Sequence, residues 1–155
     1  MTAPHLKIAR LPHAADLPLP AYKSPGAAGL DLPAAVPATE PVVIRPGERR
    51  LIGTGFSIAV PEGHEAQIRP RSGLAVEYGL SIVNTPGTVD ADYRGEIKVL
   101  LVNLGDRPVT INRGMRIAQL VVSPVTRADV VEISEADDLG ATQRGSRGFG
   151  STGFA

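Results

Sequence analysis

Cysteine and tryptophan are absent from this chain, aromatic residues make up only 4% of it, and neither sign of charge is in excess. Without cysteine there is no disulfide, no thiol nucleophile and no thiolate metal site. Lys plus Arg number 16 and Asp plus Glu number 16, so the formal net charge is zero. That leaves no basic face for a nucleic-acid-binding role resting on phosphate neutralisation. No apolar run approaches membrane-spanning length. The start, MTAPHLKIARLPHAADLPLP, carries proline and charge where a signal peptide needs an apolar stretch. The expectation is a soluble, cytoplasmic protein with neither a membrane nor a nucleic-acid partner. Its 155 residues suit one domain with a real core, which Val, Ile and Leu must supply.

What the chain has in abundance is punctuation. Fourteen prolines and seventeen glycines are spread along it. Proline breaks helices and is poorly tolerated in central strands, so elements must be short. Between these breaks lie β-rich runs at Leu6–Leu11, Pro41–Ile44, Arg49–Val60, Glu65–Arg69, Leu80–Val83, Glu96–Val102, Val109–Ile111, Met115–Val122 and Val125–Ile133. Their spacing predicts an all-β sandwich or barrel. One short helix is expected at Ser72–Tyr78, with Ser72 as its N-cap. From about Ser134 the periodicity stops, and the tail turns acidic and then rich in Gly, Ser and Arg. The chain therefore reads as a β core over residues 1–133 and a flexible arm over residues 134–155.

The stretch Asn84-Thr-Pro-Gly-Thr-Val-Asp-Ala-Asp-Tyr-Arg-Gly-Glu-Ile97 is the most informative. Asn, Gly and Asp tolerate the backbone angles of a bend, so it reads as a hairpin arm presenting polar side chains. Asp90 and Asp92 are two apart and would share a face in extended geometry. Pro70-Arg-Ser-Gly-Leu-Ala75 fits either an ordinary helix start or an anion site built on free N–H groups, Ser72, Gly73 and Arg71. Asp31, in Gly26-Ala-Ala-Gly-Leu-Asp-Leu32, reads by itself as a turn residue. If Arg116–Val121 alternates, Gln119 points with Ile117 and Val121 and needs a hydrogen-bond partner or a site edge. His5, His13 and His64 have no metal-ligand spacing and read as surface residues.

No G-x-x-x-x-G-K-[ST] occurs, so a triphosphate site here is not a P-loop. Gly148, Gly150 and Gly153 spell a literal G-x-G-x-x-G, yet the given sequence stops two residues later, so the dinucleotide-fold reading fails. The tail fits either a disordered segment or an arm whose Arg144, Arg147, Phe149 and glycine N–H groups close over a phosphorylated aromatic ligand.

Taken in order, AGLDL, PRSGLA, NTPGTVDADYRGEI, RIAQL and RGSRGFGSTG resemble the five motifs of the trimeric dUTPase family, from about Ala28 to Gly153. The resemblance implies a distorted jelly-roll-like β subunit, a homotrimer with shared active sites, and Mg²⁺-dependent hydrolysis of dUTP to dUMP and pyrophosphate. Such an activity limits uracil in DNA and supplies dUMP for thymidylate synthesis.

Carried over by motif, Asp90 matches the catalytic aspartate that orients and deprotonates the attacking water and holds the 3′-OH. Tyr93 matches the tyrosine packed under the deoxyribose. Asn84, Gly87, Thr88, Val89 and Lys98 match the uracil pocket, and Arg71, Ser72, Gly73 and Gln119 match the phosphate contacts. Asp31 matches an aspartate that organises Mg²⁺ through water. Arg144 matches the arm arginine on the γ-phosphate, Phe149 the aromatic stacked on uracil, and Gly150, Ser151 and Thr152 further phosphate contacts. Two positions depart from the family pattern: Arg147 stands where glycine is usual, and Met115 where an acid is common. The rival readings are a dCTP deaminase of the same fold, a non-catalytic dUTP-binding regulator and a purely structural β trimer.

Overall fold

The computed structural model describes residues 4–148. Ten strands and one helix follow in order: β1 (Lys7–Arg10), β2 (Leu30–Pro33), β3 (Val42–Ile44), β4 (Arg49–Ala59), β5 (His64–Arg69), α1 (Ser72–Tyr78), β6 (Leu80–Ile82), β7 (Gly87–Val89), β8 (Glu96–Asn103), β9 (Val109–Ile111) and β10 (Arg116–Pro124). One four-stranded sheet has the order β1-β4-β8-β6, a second has β2-β10-β5-β7, and β3 pairs with β9. All the pairings are antiparallel. Apolar side chains from both large sheets, among them Ile52, Val99, Leu101, Leu32, Ile68 and Leu120, merge into one buried cluster. The result is a jelly-roll-like sandwich rather than a closed barrel. Among the described residues no helix is long and apolar enough to cross a membrane.

Alternation explains the layers. Along β8, Ile97, Val99, Leu101 and Asn103 are buried while Lys98 is exposed, the pattern of a strand with one face on the core. Asn103 is the polar member of that inner row. Its Nδ2 donates to the carbonyls of Ile44 (2.9 Å) and Arg107 (2.8 Å), and its Oδ1 accepts from Gly105 N–H (2.9 Å). The helix spans the expected residues and buries Leu74. It ends at Gly79, whose φ of +69° and N–H bond to the Ala75 carbonyl make a left-handed cap. A Cβ there would lie 2.5 Å from the Gly105 nitrogen, so glycine is needed for space as well as for angle.

Four expectations need correction. Ser72 is the first helical residue, and the extended N-cap is Arg71, with no side-chain cap bond. Residues 84–97 do not form a hairpin of paired strands: β7 pairs with β5 and β8 with β4 and β6, so the segment crosses from one sheet to the other. Residues 125–133 are not a strand. The Val125 N–H still bonds Gly63, but Val130 and Val131 are exposed and unburied by any partner strand. The short strands β2 and β7 lie in Gly-rich turn-like sequence and carry no apolar run long enough to announce them.

An N-terminal 3-10 turn, Pro12–Ala14, packs Ala14 with Leu17 and Phe56 in a second small cluster. Arg113 pins it, donating to Asp16 Oδ2 (3.0 Å), the Val36 carbonyl (3.0 Å) and the His13 carbonyl (2.7 Å). The hydrogen bond from Arg113 holds the Asp16 carboxyl below its ordinary range. A depressed acid contributes stability above its unfolded pKa and loses it as pH falls through the folded value, so this tie weakens only in acid. Asn103→Ala, which strands one buried and two partly buried partners, is expected to lower the unfolding free energy by about 1–3 kcal/mol in chemical denaturation, with the native spectrum retained.

Candidate active site

A cavity of about 330 Å³ opens where the two sheets meet, lined by Leu51, Thr88, Val89, Asp90, Tyr93, Glu96, Ile97 and Lys98. That volume falls in the range of small-ligand sites. The second sheet contributes β7, and the first contributes β4 and β8. The chain between them, after Val89, folds into a turn in which the Tyr93 N–H bonds the Asp90 carbonyl (3.1 Å). Asp90 and Asp92 are therefore not successive same-face residues of a strand. Asp90 lines this cavity together with an adjacent groove of about 720 Å³, which Asp92 also borders.

Tyr93 is 44% exposed, with its hydroxyl donating to the Glu96 carbonyl (2.9 Å). Gly95 makes that possible, because a Cβ there would stand 2.4 Å from Tyr93 Oη and 2.6 Å from its Cζ. Asn84 lies beside Gly87, where an added Cβ would meet Asn84 Nδ2 at 3.3 Å. Five predicted site residues thus line one cavity: Thr88, Val89, Asp90, Tyr93 and Lys98. Asn84 and Gly87 adjoin it through β7.

A second group gathers elsewhere. Asp31 is buried at 5% exposure. It accepts from Arg116 Nη1 (2.7 Å) and Gln119 Nε2 (3.2 Å), and its Oδ1 stands 3.4 Å from Arg71 Nε. Arg71 also donates to the Arg116 carbonyl (3.1 Å). Ser72 and Gly73 follow as exposed residues at the start of α1, and Gly73 has open space around it. Asp31 is more than a turn residue: it is the anion that holds two arginines and a glutamine together.

Arg116 had no expected role, because simple alternation put it with Ala118 and Leu120. The register shifts between Arg116 and Ala118, so Ile117 and Ala118 are both buried and Arg116 turns to Asp31 alongside Gln119. A bulge of this kind re-aims a side chain, and the local residue pattern does not disclose it. His13 is exposed, as expected, but its Nε2 also meets the Glu96 carboxylate at 2.9 Å beside the cavity, a contact that local sequence does not disclose.

The two groups lie at opposite ends of β5. Val89 stands across from Ala66, which puts Asp90 beside Glu65, while Gln119 stands across from Arg69. At about 3.3 Å per residue, Asp90 and Arg71 are roughly 20 Å apart along the strand. Arg144 and Arg147 each donate through Nε to the other's carbonyl, at 2.9 and 3.0 Å. Phe149, Gly150, Ser151 and Thr152 lie outside the described residues.

Among the described residues no three His, Asp or Glu side chains converge as a metal cage. Asp31 is a lone carboxylate with both oxygens already engaged by donors. It therefore offers no free ligand oxygen here, and a Mg²⁺ ion at this place would have to be held by phosphate oxygens and water rather than by protein side chains.

The dUTPase family model matches residues 15–153. A deoxyuridine 5'-triphosphate nucleotidohydrolase of Rhizobium meliloti is 61% identical over 150 residues, covering 97% of this chain and 92% of the relative. Another so named, from Sinorhizobium medicae, is 59% identical over 152 residues, covering 98% and 93%. Among solved structures, the dUTPase of Staphylococcus bacteriophage 80alpha with dUPNHPP is 25% identical, with a TM-score of 0.84 over 97% of this chain and 99% of that one. A mutant dUTPase from phage phi11 of S. aureus, which coordinates a structural Mg(II) ion, is 24% identical, with a TM-score of 0.74 over 86% and 99%. At that identity the phi11 likeness concerns the fold alone.

Gly95→Ala is expected to push the exposed Tyr93 ring off the Glu96 carbonyl. A crystal structure of the variant would show the broken contact, and denaturation would show a stability change below about 1 kcal/mol, since a free side chain can yield.

Proposed function

Because the chain belongs to the dUTPase family and hydrolyses dUTP to dUMP and pyrophosphate, we propose a division of that reaction among the residues described. The cavity that unites Asp90 and Tyr93 with the end of β7 carries this reading. Asp90 orients a water, accepts its proton and holds the 3′-OH; a carboxylate at hydrogen-bond distance suits that role. Water attacks the α-phosphorus in line, the new P–O bond forms, the bond to the bridging oxygen breaks, and pyrophosphate leaves. Tyr93 packs under the deoxyribose and leaves no room for a 2′-OH.

Uracil is read by the segment holding Asn84, Gly87, Thr88, Val89 and Lys98. As the last strand of its sheet, β7 has backbone N–H and C=O groups facing away from β5, and an edge of that kind is a template for hydrogen bonding. Cytosine presents donor and acceptor reversed, leaving buried groups unpaired at about 1–3 kcal/mol each. Arg71, Ser72, Gly73 and Gln119 hold the phosphates. Mg²⁺, when bound, would supply charge neutralisation on the triphosphate, and Asp31 would act on it only through water. From the arm, over residues 134–155, Arg144 takes the γ-phosphate, Phe149 stacks on uracil, and Gly150, Ser151 and Thr152 add phosphate contacts. The setting is cytoplasmic.

The site is shared between copies in a homotrimer. Asp90 and the Arg71 turn are roughly 20 Å apart in one chain, whereas a catalytic group must lie within about 3 Å of its target. A second copy can bring its Arg71 end to the first copy's Asp90 end in a closed ring of head-to-tail contacts. Two further features fit such an assembly: the exposed apolar Leu51 and Val83 on the outer face of the first sheet, and Val130 and Val131 leaving the body. The relatives named above favour this hydrolase over the dCTP deaminase and the regulator.

Asp90→Asn is expected to keep trimer size and dUPNHPP affinity while kcat falls about 10²–10⁴-fold; near-normal turnover would sink the assignment. Mixing inactive Asp90→Asn and Arg71→Ala chains under subunit exchange should restore about a quarter of wild-type activity, since half the copies are intact at each position of a ring. No recovery would place the whole site in one chain. Deleting Gln143–Ala155 should leave the melting curve unchanged and reduce kcat/KM about 100-fold or more; an unchanged rate would show the arm to be dispensable.

A further inference from the structure

Glu96 joins two things that sequence separates. Its backbone carbonyl accepts the Tyr93 hydroxyl (2.9 Å). Its carboxylate Oε1 accepts the Gly55 N–H (2.9 Å) and meets His13 Nε2 at 2.9 Å. The side chain is only 16% exposed, and the residue lines the cavity with Asp90, Tyr93 and Lys98.

The body of the protein is shaped to receive that carboxylate. Gly53 pairs with Lys98 and Ser57 with Glu96, so β4 spends three residues, Thr54 to Phe56, where β8 spends only Ile97. Thr54 Oγ1 closes the bulge by donating to the Ile97 carbonyl (2.7 Å). A Cβ on Gly53 would stand 2.6 Å from Glu96 Oε1. Gly55 has a φ of +76°, and a Cβ on it would overlap Ala14, so only glycine lets the 3-10 turn carrying His13 approach. Arg113 fixes that turn from behind.

We propose that Glu96 is the positioning residue for Tyr93. Clamped between the β4 bulge and His13, it fixes the carbonyl on which the ring is anchored, and with it the selection of deoxyribose over ribose. This rests on the reading of Tyr93 as the sugar check. Glu96 itself touches no reacting atom. Its carboxylate is held by His13 on one side and the Gly55 N–H on the other, so removing it frees the first residue of β8 to shift.

The decisive quantity is the ratio of kcat/KM for UTP to that for dUTP. Both substrates meet the same folded enzyme, so a loss of folded protein does not change the ratio. Glu96→Ala should raise it about tenfold or more, through the small displacement of Tyr93, whereas Glu96→Gln, which keeps an oxygen for Gly55, should stay near wild type. Tyr93→Phe should raise it in the same direction, and combining it with Glu96→Ala should add nothing further, because both act through one contact. His13→Ala, an exposed-side change that decides the matter if Glu96→Ala does not fold, should raise the ratio by a smaller factor. Tyr93→Ala calibrates the assay. If it raises the ratio while neither Glu96→Ala nor His13→Ala does, the positioning role is overturned and the sugar check stands. If Tyr93→Ala leaves the ratio unchanged, the sugar check itself is overturned.

Discussion

The pairing of β5 with β7 on one side and β10 on the other governs where the chemistry sits. Each ladder is antiparallel and has one face in the core, so a one-residue slip would carry Ala66, Ile68, Val89 and Leu120 out of the interior. The register is therefore strongly specified by burial. It follows that Asp90 leaves the sheet at one end of β5 and Arg71 at the other. A rigid strand serves as a spacer between the two residue clusters, and neither cluster can move toward the other without unpairing the sheet.

Each cluster is organised by a different kind of force. Around Asp31, buried charge demands partners: a lone carboxylate at 5% exposure is costly unless paired, and Arg71, Arg116 and Gln119 satisfy it. That arrangement fixes two guanidinium groups in place. Around Tyr93 the organising factor is space. Glycines at Gly95 and Gly53 leave volume that a ring and a carboxylate occupy, and Gly55 leaves room for Ala14. The two devices suit their proposed tasks, one dealing with phosphate charge and the other with the shape of a sugar.

Much of this was open to inspection in the amino-acid order alone. The Ser72–Tyr78 helix and most long strands follow from periodicity and from the proline and glycine breaks. The five motifs point to the dUTPase family because their residue types and order recur together, and the family match over residues 15–153 agrees. The expected strand at 125–133 fails for a physical reason. A β-rich sequence becomes a strand only where a neighbouring edge offers hydrogen bonds, and among the described residues this segment has none beyond Val125.

Other features existed only once the chain had folded. The crossing of residues 84–97 between sheets, the bulge that sends Arg116 to Asp31, and the meeting of His13 with Glu96 all join residues far apart in sequence. Local pattern reports which side chains prefer burial; it does not report register shifts, which are settled by the packing of two strands against each other. Sequence by itself determined the residue types available for nucleotide chemistry and the β character of the chain. Tertiary structure decided which of them share a cavity, because antiparallel pairing holds Asp90 and Arg71 at a separation that no side chain can span.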